Sequence, residues 1–551
     1  MYGNITLNPR LVLCVVSAVL FCSQAGAQDR ADHVCPRPLE GSIVQEPPVL
    51  ASRNGSLDVS LEFKSVLDDE GARRYCYVSS TGLVSPTLQV SPGDWVSVHF
   101  QNDMETASPG ESMPSMTAAS PAHELDGGCN GVMNEYATNL HFHGLSIPPR
   151  CHQDESIHTL IAPGQTFDYA FQIPSGNPPG LYWYHPHPHG FSTAQVQGGA
   201  SGALIVEGMP SVFPVLAALP ERTFILRDQL LSAAASNSTD PLKPSWDVSI
   251  NYVPIKYPKY LPATIQTKPE ERQFWRFVNA AANTIFHLQI LYNGVPQTVE
   301  IFAIDGIPVI DGPTSQTSIF LPPGARAEFV VTTPAIGQPA QLVTLKHDPG
   351  PAGDSAPARP LANIVALKLK DQRARPERRD PANSAAAGIS LPTSMLGLKP
   401  ARTRMLYFSQ NGNGTEGGSG AATKFFITVV GQPIKAFDMD APPNIVVRQG
   451  TVEDWNIQNM TPEDHVFHIH QVHFQLLAVN GVPVNDPVIR DTILVPHQVG
   501  RTPISSVKLR MDFRDPNIVG TFVYHCHILD HEDKGMMGKI QVLPALPNPQ
   551  P

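Results

Sequence analysis

The stretch that decides the fold lies at residues 525–537 and reads HCHILDHEDKGMM. Side chains two positions apart on a β-strand point to the same face, and the side chain between them points to the opposite face. The spacing therefore predicts a strand on which His525 and His527 share one face while Cys526 lies on the other. Such a strand would carry ligands for a different metal site on each face.

The same His-x-His spacing recurs in three other short segments. They read HFH at 141–143, HPHPH at 185–189 and HVFHIHQVH at 465–473. Four such pairs offer eight neutral nitrogen ligands, whereas a zinc site uses only three or four. Because the pairs come from opposite ends of the chain, we expect a cluster of metal ions that lies between the first and the last domain and joins them.

Cys526 indicates a second kind of site. A thiolate with two imidazoles and a weakly bound thioether is the ligand set of blue copper, and His465, His531 and Met536 are available to complete it. From the reach of side chains on either side of a strand, the two sites should lie on the order of 10 Å apart. That arrangement predicts electron transfer between them.

The composition is typical of a β protein with several domains. The 551 residues include 55 Pro and 41 Gly, 42% are hydrophobic and only 16% are charged, which favours short strands separated by turns. A Pro/Gly turn that leads into an alternating strand recurs at 90–94, 321–325 and 447–451, and this predicts three similar β domains. The net charge of −11 disfavours a nucleic acid as partner.

The chain begins with the pattern of an export signal. Arg10 precedes an apolar run at 11–22, and small residues follow, which predicts a cleaved signal peptide over residues 1–27. The run is shorter than the roughly 20 residues of a membrane span, so we expect a secreted or periplasmic protein that has no membrane association after cleavage. Residues 372–400 are predicted to be a linker, and residues 105–131 a long loop.

Four cysteines lie outside both the signal and the histidine segments: Cys35, Cys76, Cys129 and Cys151. An even set in an oxidising compartment predicts two disulfides. Three pairings are possible and the spacing does not choose among them.

In order and spacing, the four segments resemble the copper-binding signatures of the multicopper oxidases, the family of laccases, ceruloplasmin-type ferroxidases and bacterial copper-efflux oxidases. The resemblance covers nearly the whole mature chain. It implies an all-β fold of three cupredoxin-like, Greek-key β-sandwich or barrel domains, at residues 28–208, 209–371 and 401–551. It also implies four copper ions, one of type 1, one of type 2 and a type 3 pair.

The family pattern implies a set of ligands for each copper ion. The type 1 copper takes His465, Cys526, His531 and Met536, the type 2 copper takes His141 and His468, one type 3 copper takes His143, His185 and His527, and the other takes His187, His470 and His525. His189 and His473 fall outside the pattern and are expected to pack beside it.

The resemblance also implies two residues that handle protons. Glu532 directly follows a copper ligand and matches the glutamate that supplies protons to the cluster in copper-efflux oxidases. Asp154 matches the acidic residue that the family places near the type 2 copper. The alternative for each is a surface carboxylate. With Cys526 as the route for electrons, these are the candidate catalytic residues.

The implied activity is one-electron oxidation of a small reductant coupled to four-electron reduction of dioxygen to water. We expect a laccase-like oxidase of phenols and aromatic amines, with a cuprous or ferrous metallo-oxidase as the alternative. The sequence does not give the oligomeric state, and a monomer is favoured. Glu463 and Asp464 precede His465, where a carboxylate could accept a phenolic proton, bind an oxidisable cation or form a solvated turn. A non-catalytic copper carrier needs only the type 1 site, so the full ligand set argues against one.

Overall fold

The computed structural model describes residues 34–105, 129–232, 243–368, 391, 393–411, 423–500 and 503–546. The structure is 47% strand and 5% helix, so the all-β prediction is confirmed. The predicted signal peptide lies outside the described residues, as do most of the 105–131 loop and most of the 372–400 linker. None of the described helices has the length and apolar character needed to cross a bilayer.

The first β-unit contains the strands β1 (Val49–Ala51), β2 (Ser56–Leu67), β3 (Arg73–Ser79), β4 (Thr87–Val90), β5 (Trp95–Asp103), β6 (His141–His143), β7 (Thr166–Gln172), β8 (Gly180–His185) and β9 (Gly202–Val206). They form a sheet of order β1-β4-β9-β8-β6 and a second of order β3-β2-β5-β7. Apolar side chains from both sheets, such as Phe63 and Leu204, fill one buried core.

The second β-unit contains β10 (Glu221–Leu230), β11 (Trp246–Ile250), β12 (Val253–Ile255), β13 (Ala263–Thr267), β14 (Arg272–Asn279), β15 (Phe286–Tyr292), β16 (Val295–Pro296), β17 (Val299–Ile304), β18 (Ile307–Pro308), β19 (Thr314–Gln316), β20 (Ile319–Leu321), β21 (Arg326–Thr332), β22 (Ala340–Thr344) and β23 (Arg359–Ala366). The main paths of its two sheets are β12-β11-β10-β14-β21-β17-β18 and β13-β23-β22-β15-β16. Trp275 and Leu342 belong to the core between them.

The third β-unit contains β24 (Arg402–Asn411), β25 (Lys424–Val429), β26 (Ile445–Arg448), β27 (Thr451–Asn459), β28 (His465–Ile469), β29 (Phe474–Val479), β30 (Val482–Pro483), β31 (Ile489–Arg490), β32 (Thr492–Val495), β33 (Ser505–Phe513), β34 (Gly520–Cys526) and β35 (Met537–Leu543). Its sheets have the orders β25-β24-β27-β33-β29-β30 and β26-β35-β34-β28-β32. Trp455 and Tyr524 belong to its core.

The helices are short: α1 (Ser192–Gln197), α2 (Met209–Val212), α3 (Leu529–Asp533) and the 3-10 turns Pro214–Leu216 and Pro516–Ile518. The first and third units meet where α1 faces α3. There the backbone N–H groups of Ser192 and Thr193 donate to the carboxylate of Asp533, at 3.2 and 2.8 Å. The helix that follows Cys526 is thereby fastened to the first unit.

The three Pro/Gly turns occupy equivalent positions in the three units. Each carries the chain from one sheet of its unit to the other, from β4 to β5, from β20 to β21 and from β26 to β27. Gly93, Gly324 and Gly450 have φ values of +90°, +88° and +93°, a region that side chains with a Cβ rarely adopt. The repeated turn predicted from the sequence is therefore found, while the boundaries at residues 208 and 371 stay predictions.

Both predicted disulfides form. Cys35 pairs with Cys76, and Cys129 pairs with Cys151. Among the described residues the free cysteine is Cys526, which is buried.

Candidate copper centres

Cys526 ends β34 and faces two imidazoles. Its Sγ lies 3.6 Å from Nδ1 of His465 and 3.7 Å from Nδ1 of His531, and the two Nδ1 atoms are 3.0 Å apart. His465 begins β28, whereas His531 lies in α3. None of the three residues is more than 4% exposed. One thiol and two imidazole nitrogens thus meet at one point, as a blue-copper site requires.

The outer nitrogens of these two imidazoles also have partners. Nε2 of His465 lies 2.8 Å from Oγ1 of Thr461, and Nε2 of His531 lies 3.3 Å from Oε2 of Glu463. If each Nε2 carries its proton toward the oxygen, the lone pair is at Nδ1, on the side of the thiol. Met536 is buried, and its backbone carbonyl accepts from the N–H of Cys526 at 3.0 Å. Its role as axial ligand stays a prediction.

Eight further histidines form a second buried cluster, and none of them is more than 1% exposed. In the register of the sheets, His141 on β6 lies opposite His185 on β8, and His468 on β28 lies opposite His525 on β34. The other four follow their partners by two positions, so each unit supplies two pairs. The cluster consists of His141, His143, His185, His187, His468, His470, His525 and His527. It lies between the first and third units, as expected.

One predicted type 3 trio meets directly. Nε2 of His525 lies 3.3 Å from Nε2 of His187 and 3.3 Å from Nε2 of His470. His525 thus belongs to the eight-histidine cluster, while its neighbour Cys526 faces His465 and His531. The strand places these two side chains on opposite faces, as its alternation predicts.

In each of the other predicted ligand groups the histidine rings also lie close together. These groups are less sharply separated from one another than the trio of His525, His187 and His470. The ring centroids of His143, His185 and His527 are 5.0 to 5.8 Å apart. The rings of His141 and His468 are 6.5 Å apart. Nitrogen atoms of His141 and His468 also form a close group with His470, so the assignment of single ligands to single ions stays a prediction.

Two regions of the chain match family models described as multicopper oxidase, residues 129–211 and residues 415–545. All twelve predicted ligands fall inside them. The chain belongs to the multicopper oxidase family.

The oxidase is similar in sequence to other proteins of the family over most of its length. It is 26% identical over 538 residues to a laccase from Haloferax volcanii, across 91% of this chain and 84% of the relative. It is 23% identical over 522 residues to multicopper oxidase LPR1 homolog 1 from Oryza sativa subsp. japonica, across 83% of this chain and 82% of the relative. A solved multicopper oxidase from Campylobacter jejuni, described as a metallo-oxidase, has the same fold, with a TM-score of 0.64, 24% identity and coverage of 93% and 96% of the two chains.

The eight-histidine cluster of the oxidase fits copper. Several of its buried nitrogens have no hydrogen-bond partner among the described residues, namely Nε2 of His141, His185 and His468, Nδ1 of His143, and both ring nitrogens of His527. Such atoms are costly to bury unless something binds them. Burial lowers the pKa of His141, His185 and His527 well below the usual range, so these imidazoles are neutral, the form that binds metal.

Asp154 lies beside this cluster and is not a surface carboxylate. It is 1% exposed, and its Oδ1 accepts from the backbone N–H of Phe142 at 3.0 Å and lies 3.0 Å from Nδ1 of His141. Its Oδ2 accepts from Nε2 of Gln471 at 2.6 Å. Burial raises the pKa of Asp154 well above its usual value. The carboxylate therefore orients His141 with Nε2 toward the middle of the cluster.

Glu532 is also fully buried. Its Oε1 lies 3.4 Å from Oγ of Ser192, while its Oε2 lies 3.5 Å from Nδ1 of His525 and 3.8 Å from Nε2 of His187. Burial raises the pKa of Glu532 well above the usual value. A carboxyl group with a raised pKa at this depth can hold a proton beside the cluster.

Asp491 was not predicted from the sequence. Its Oδ1 lies 3.3 Å from Nε2 of His143, and its backbone carbonyl lies 2.9 Å from Nδ1 of His468. Arg326 of the second unit donates to both carboxylate oxygens at 2.8 Å, and Asp305 accepts from the backbone N–H of Asp491 at 3.3 Å. The second unit thus supports the cluster through Asp491 although it supplies none of the predicted ligands.

The two histidines outside the family pattern also lie outside the cluster. His189 packs on Phe437 with ring centroids 4.8 Å apart, and burial lowers its pKa to about 4. His473 is partly buried, and its Nε2 lies 3.8 Å from Oδ2 of Asp491.

A small pocket lies over the Glu463 side of His531. Its volume is about 20 Å³, and it is lined by Glu463, Asp464, Trp246 and residues of the segment 349–356. That segment belongs to the loop between β22 and β23, and the backbone N–H of Asp464 donates to the carbonyl of Pro349 at 2.8 Å. The second unit therefore covers this edge of the Cys526 site.

Proposed function

We propose that this oxidase couples one-electron oxidation of a small reductant, at the His531 edge, to four-electron reduction of dioxygen to water in the eight-histidine cluster. The observation that carries the proposal is the position of Cys526. Its thiol meets His465 and His531, while its peptide neighbour His525 meets His187 and His470. One peptide bond therefore separates the two ligand groups, which supports a short covalent route for electrons.

The proposed cofactor is a set of four copper ions, which would supply the one-electron and four-electron redox chemistry. The donor types support this choice, because a thiolate with imidazoles suits type 1 copper and the remaining sites are all imidazole. The proposed ligands are His465, Cys526, His531 and Met536 for type 1, His141 and His468 for type 2, and His143, His185, His527, His187, His470 and His525 for the type 3 pair.

The chain's own acidic groups would manage protons. Glu532 holds a proton at a carboxyl oxygen within 3.5 Å of the His525 ring and gives it up as oxygen is reduced. The hydroxyl of Ser192, 3.4 Å from the other carboxyl oxygen, orients the carboxyl group of Glu532. Asp154 keeps His141 oriented and excludes water from its Nδ1 side.

The pocket over His531 supports a reduced metal cation as the substrate. A volume of about 20 Å³ holds about one water molecule, so a phenol ring would fit only if the walls of the pocket moved. Its walls include Glu463 and Asp464, and carboxylates favour a cation. This is the metallo-oxidase alternative of the sequence analysis.

Laccase-like oxidation of phenols is the second candidate. The Haloferax volcanii relative is named a laccase. The carboxylate of Glu463, 3.3 Å from Nε2 of His531, could accept the phenolic proton as the electron leaves. Such a substrate would need the segment 349–356 to move aside.

Oxygen uptake by the copper-loaded protein tests the proposal. We expect an intense absorption band in the red, a near-ultraviolet shoulder, and oxygen consumption with ferrous or cuprous ions at a higher kcat/KM than with a dimethoxyphenol. The reverse order of kcat/KM would select the laccase-like function. Copper-loaded protein that consumes no oxygen with either reductant would be a carrier, and the proposal would be wrong.

A further inference from the structure

The second unit holds the start of α3. A helix leaves its first backbone N–H groups without an intrahelical acceptor, and Ile528, which precedes α3, makes no side-chain cap. The N–H of Leu529 donates instead to the carbonyl of Ala282 at 3.0 Å. The N–H of Asp530 donates to Oδ1 of Asn283 at 3.4 Å. Both acceptors belong to the 282–284 loop, which lies between β14 and β15.

The position of α3 depends on such outside contacts. The helix has only five residues, and a helix this short is not stable by itself. Its next two N–H groups, those of His531 and Glu532, both donate to the carbonyl of Ile528, at 3.0 and 3.2 Å. The side chain of Leu529 packs with Ala282 in a small apolar cluster. The 282–284 loop therefore determines where the first turn of the helix lies.

A single carboxylate fixes the 282–284 loop. Asp228 is fully buried, and its Oδ1 accepts from the backbone N–H of Ala282 at 2.8 Å. Its Oδ2 accepts from the N–H groups of Asn283 and Thr284 at 2.9 and 3.0 Å, and from Oγ1 of Thr284 at 3.1 Å. Because an ionised carboxylate only accepts hydrogen bonds, it satisfies all four donors at once. β10 runs parallel to β14, which brings Asp228 to the loop that follows β14.

The same loop also forms part of the wall of the pocket over His531. Asn283 and Thr284 line that pocket together with Trp246. Nε1 of Trp246 donates to Oγ1 of Thr284 at 2.9 Å, and this hydroxyl in turn donates to Asp228. The surroundings of His531 are thus tied to Asp228 both through the helix and through the pocket wall.

We propose that Asp228 is a positioning residue for His531. The carboxylate fixes the 282–284 loop, the loop fixes the start of α3, and the helix sets where the imidazole meets the thiol of Cys526. Cys526 and His465 lie in strands of the third unit, so a displaced helix moves His531 relative to both. The role of this positioning in turnover rests on the proposed oxidase function, whereas the link from Asp228 to α3 does not.

Asp228→Asn tests the link. An amide has one acceptor oxygen and one NH₂ group, so in either orientation it turns a donor toward a loop N–H. We expect hydrogen–deuterium exchange of the Leu529 and Asp530 amides, followed by mass spectrometry of the copper-loaded protein, to become about tenfold faster. Asp94→Asn is the matched control. Asp94 is also buried and accepts from a backbone N–H and a hydroxyl, those of Ser91 and Ser52, but in a turn of the first unit.

Asn283→Ala is a milder variant that keeps the carboxylate and removes only the acceptor of the Asp530 N–H. We expect exchange to become faster at Asp530 and to stay within about twofold at Leu529, whose acceptor is a backbone carbonyl. This variant tests the contact between loop and helix even if Asp228→Asn does not fold. Exchange at Asp530 that is unchanged in Asn283→Ala, or equally accelerated in Asp94→Asn, would overturn the link.

The red absorption band tests the effect on His531, because its wavelength reports the ligand geometry around Cys526. We expect the band to shift in Asp228→Asn and to stay unchanged in Asp94→Asn, and kcat with ferrous ion to fall about tenfold in Asp228→Asn alone. Faster exchange with an unshifted band and an unchanged kcat would overturn the positioning role and leave only a structural contact. A shifted band in a protein that consumes no oxygen would leave the positioning correct and the oxidase function wrong.

Discussion

Cys526 owes its surroundings to its place in β34. The residue faces the interior of the third unit, where the backbone N–H of Val466 lies 3.4 Å from Sγ. A hydrogen bond to sulfur stabilises the thiolate that a copper ligand must be. Since His525 faces the other way, one peptide bond separates an environment that holds a soft thiolate from one built of neutral nitrogens.

At the residue scale, Glu532→Gln should slow oxygen reduction and leave the red absorption band unchanged. Glutamine keeps the hydrogen bond to Ser192 but has no proton to deliver at the Oε2 position. We expect turnover to fall about 100-fold, the lower range for a lost general acid. Asp530→Asn is the control, because Asp530 lies on the same helix but pairs with Lys534 at 2.5 Å near the surface. Full turnover in Glu532→Gln would remove this residue from the mechanism.

Met536→Leu should raise the potential of the type 1 copper. A thioether stabilises the oxidised ion more than an apolar side chain does, so its removal favours the reduced state. Met537→Leu is the matched control, because Met537 is also buried but packs with Ile157 and Val523 in a separate apolar cluster. A redox titration checks both variants. Equal potentials in the two would mean that Met536 is not the axial ligand.

At the scale of strands and loops, the sequence predicted what depends on local alternation and missed what depends on distant pairing. His525 and Cys526 could be placed because a strand fixes which neighbours share a face. His527 lies one position beyond the end of β34, and its ring still lies near that of His525, with centroids 5.4 Å apart. Asp491 gave no such signal, since its partner Arg326 is 165 positions away and its nearest sequence neighbours carry no repeated spacing. The covering of His531 by the segment 349–356 was missed for the same reason, because it is a contact between units.

Gly350→Ala should displace that covering segment. Gly350 has φ +93°, and a Cβ there would lie 2.3 Å from the carbonyl oxygen of Pro462 and 2.8 Å from the ring of His497. We expect the segment to move away from His531, so that kcat/KM for a dimethoxyphenol rises severalfold relative to that for ferrous ion. Gly337→Ala is the control, because Gly337 has φ +76° with nothing within 4 Å of a Cβ and imposes backbone strain without the clash. An unchanged ratio in Gly350→Ala would show that the segment does not limit access.

At the scale of the whole molecule, the eight-histidine cluster is a joint between units. Four of its imidazoles come from the first unit and four from the third, and Arg326 of the second unit fixes Asp491 beside them. Each unit has its own apolar core. The metal ions would therefore contribute mainly to the assembly of the three units rather than to the folding of any one.

Copper loading should accordingly raise the melting temperature of the whole chain. A ligand present at 100 times its Kd stabilises the folded state by about 2.7 kcal/mol, which shifts the melting temperature of a unit of this size by about 5 to 10 °C. Calorimetry of chelator-treated and reloaded protein measures the shift. Cys526→Ser should lose the red absorption band but keep most of the copper-dependent rise, because the ions that join the units are held by the eight histidines. Equal melting temperatures with and without copper, or a rise that disappears in Cys526→Ser, would contradict the role of the cluster as a joint.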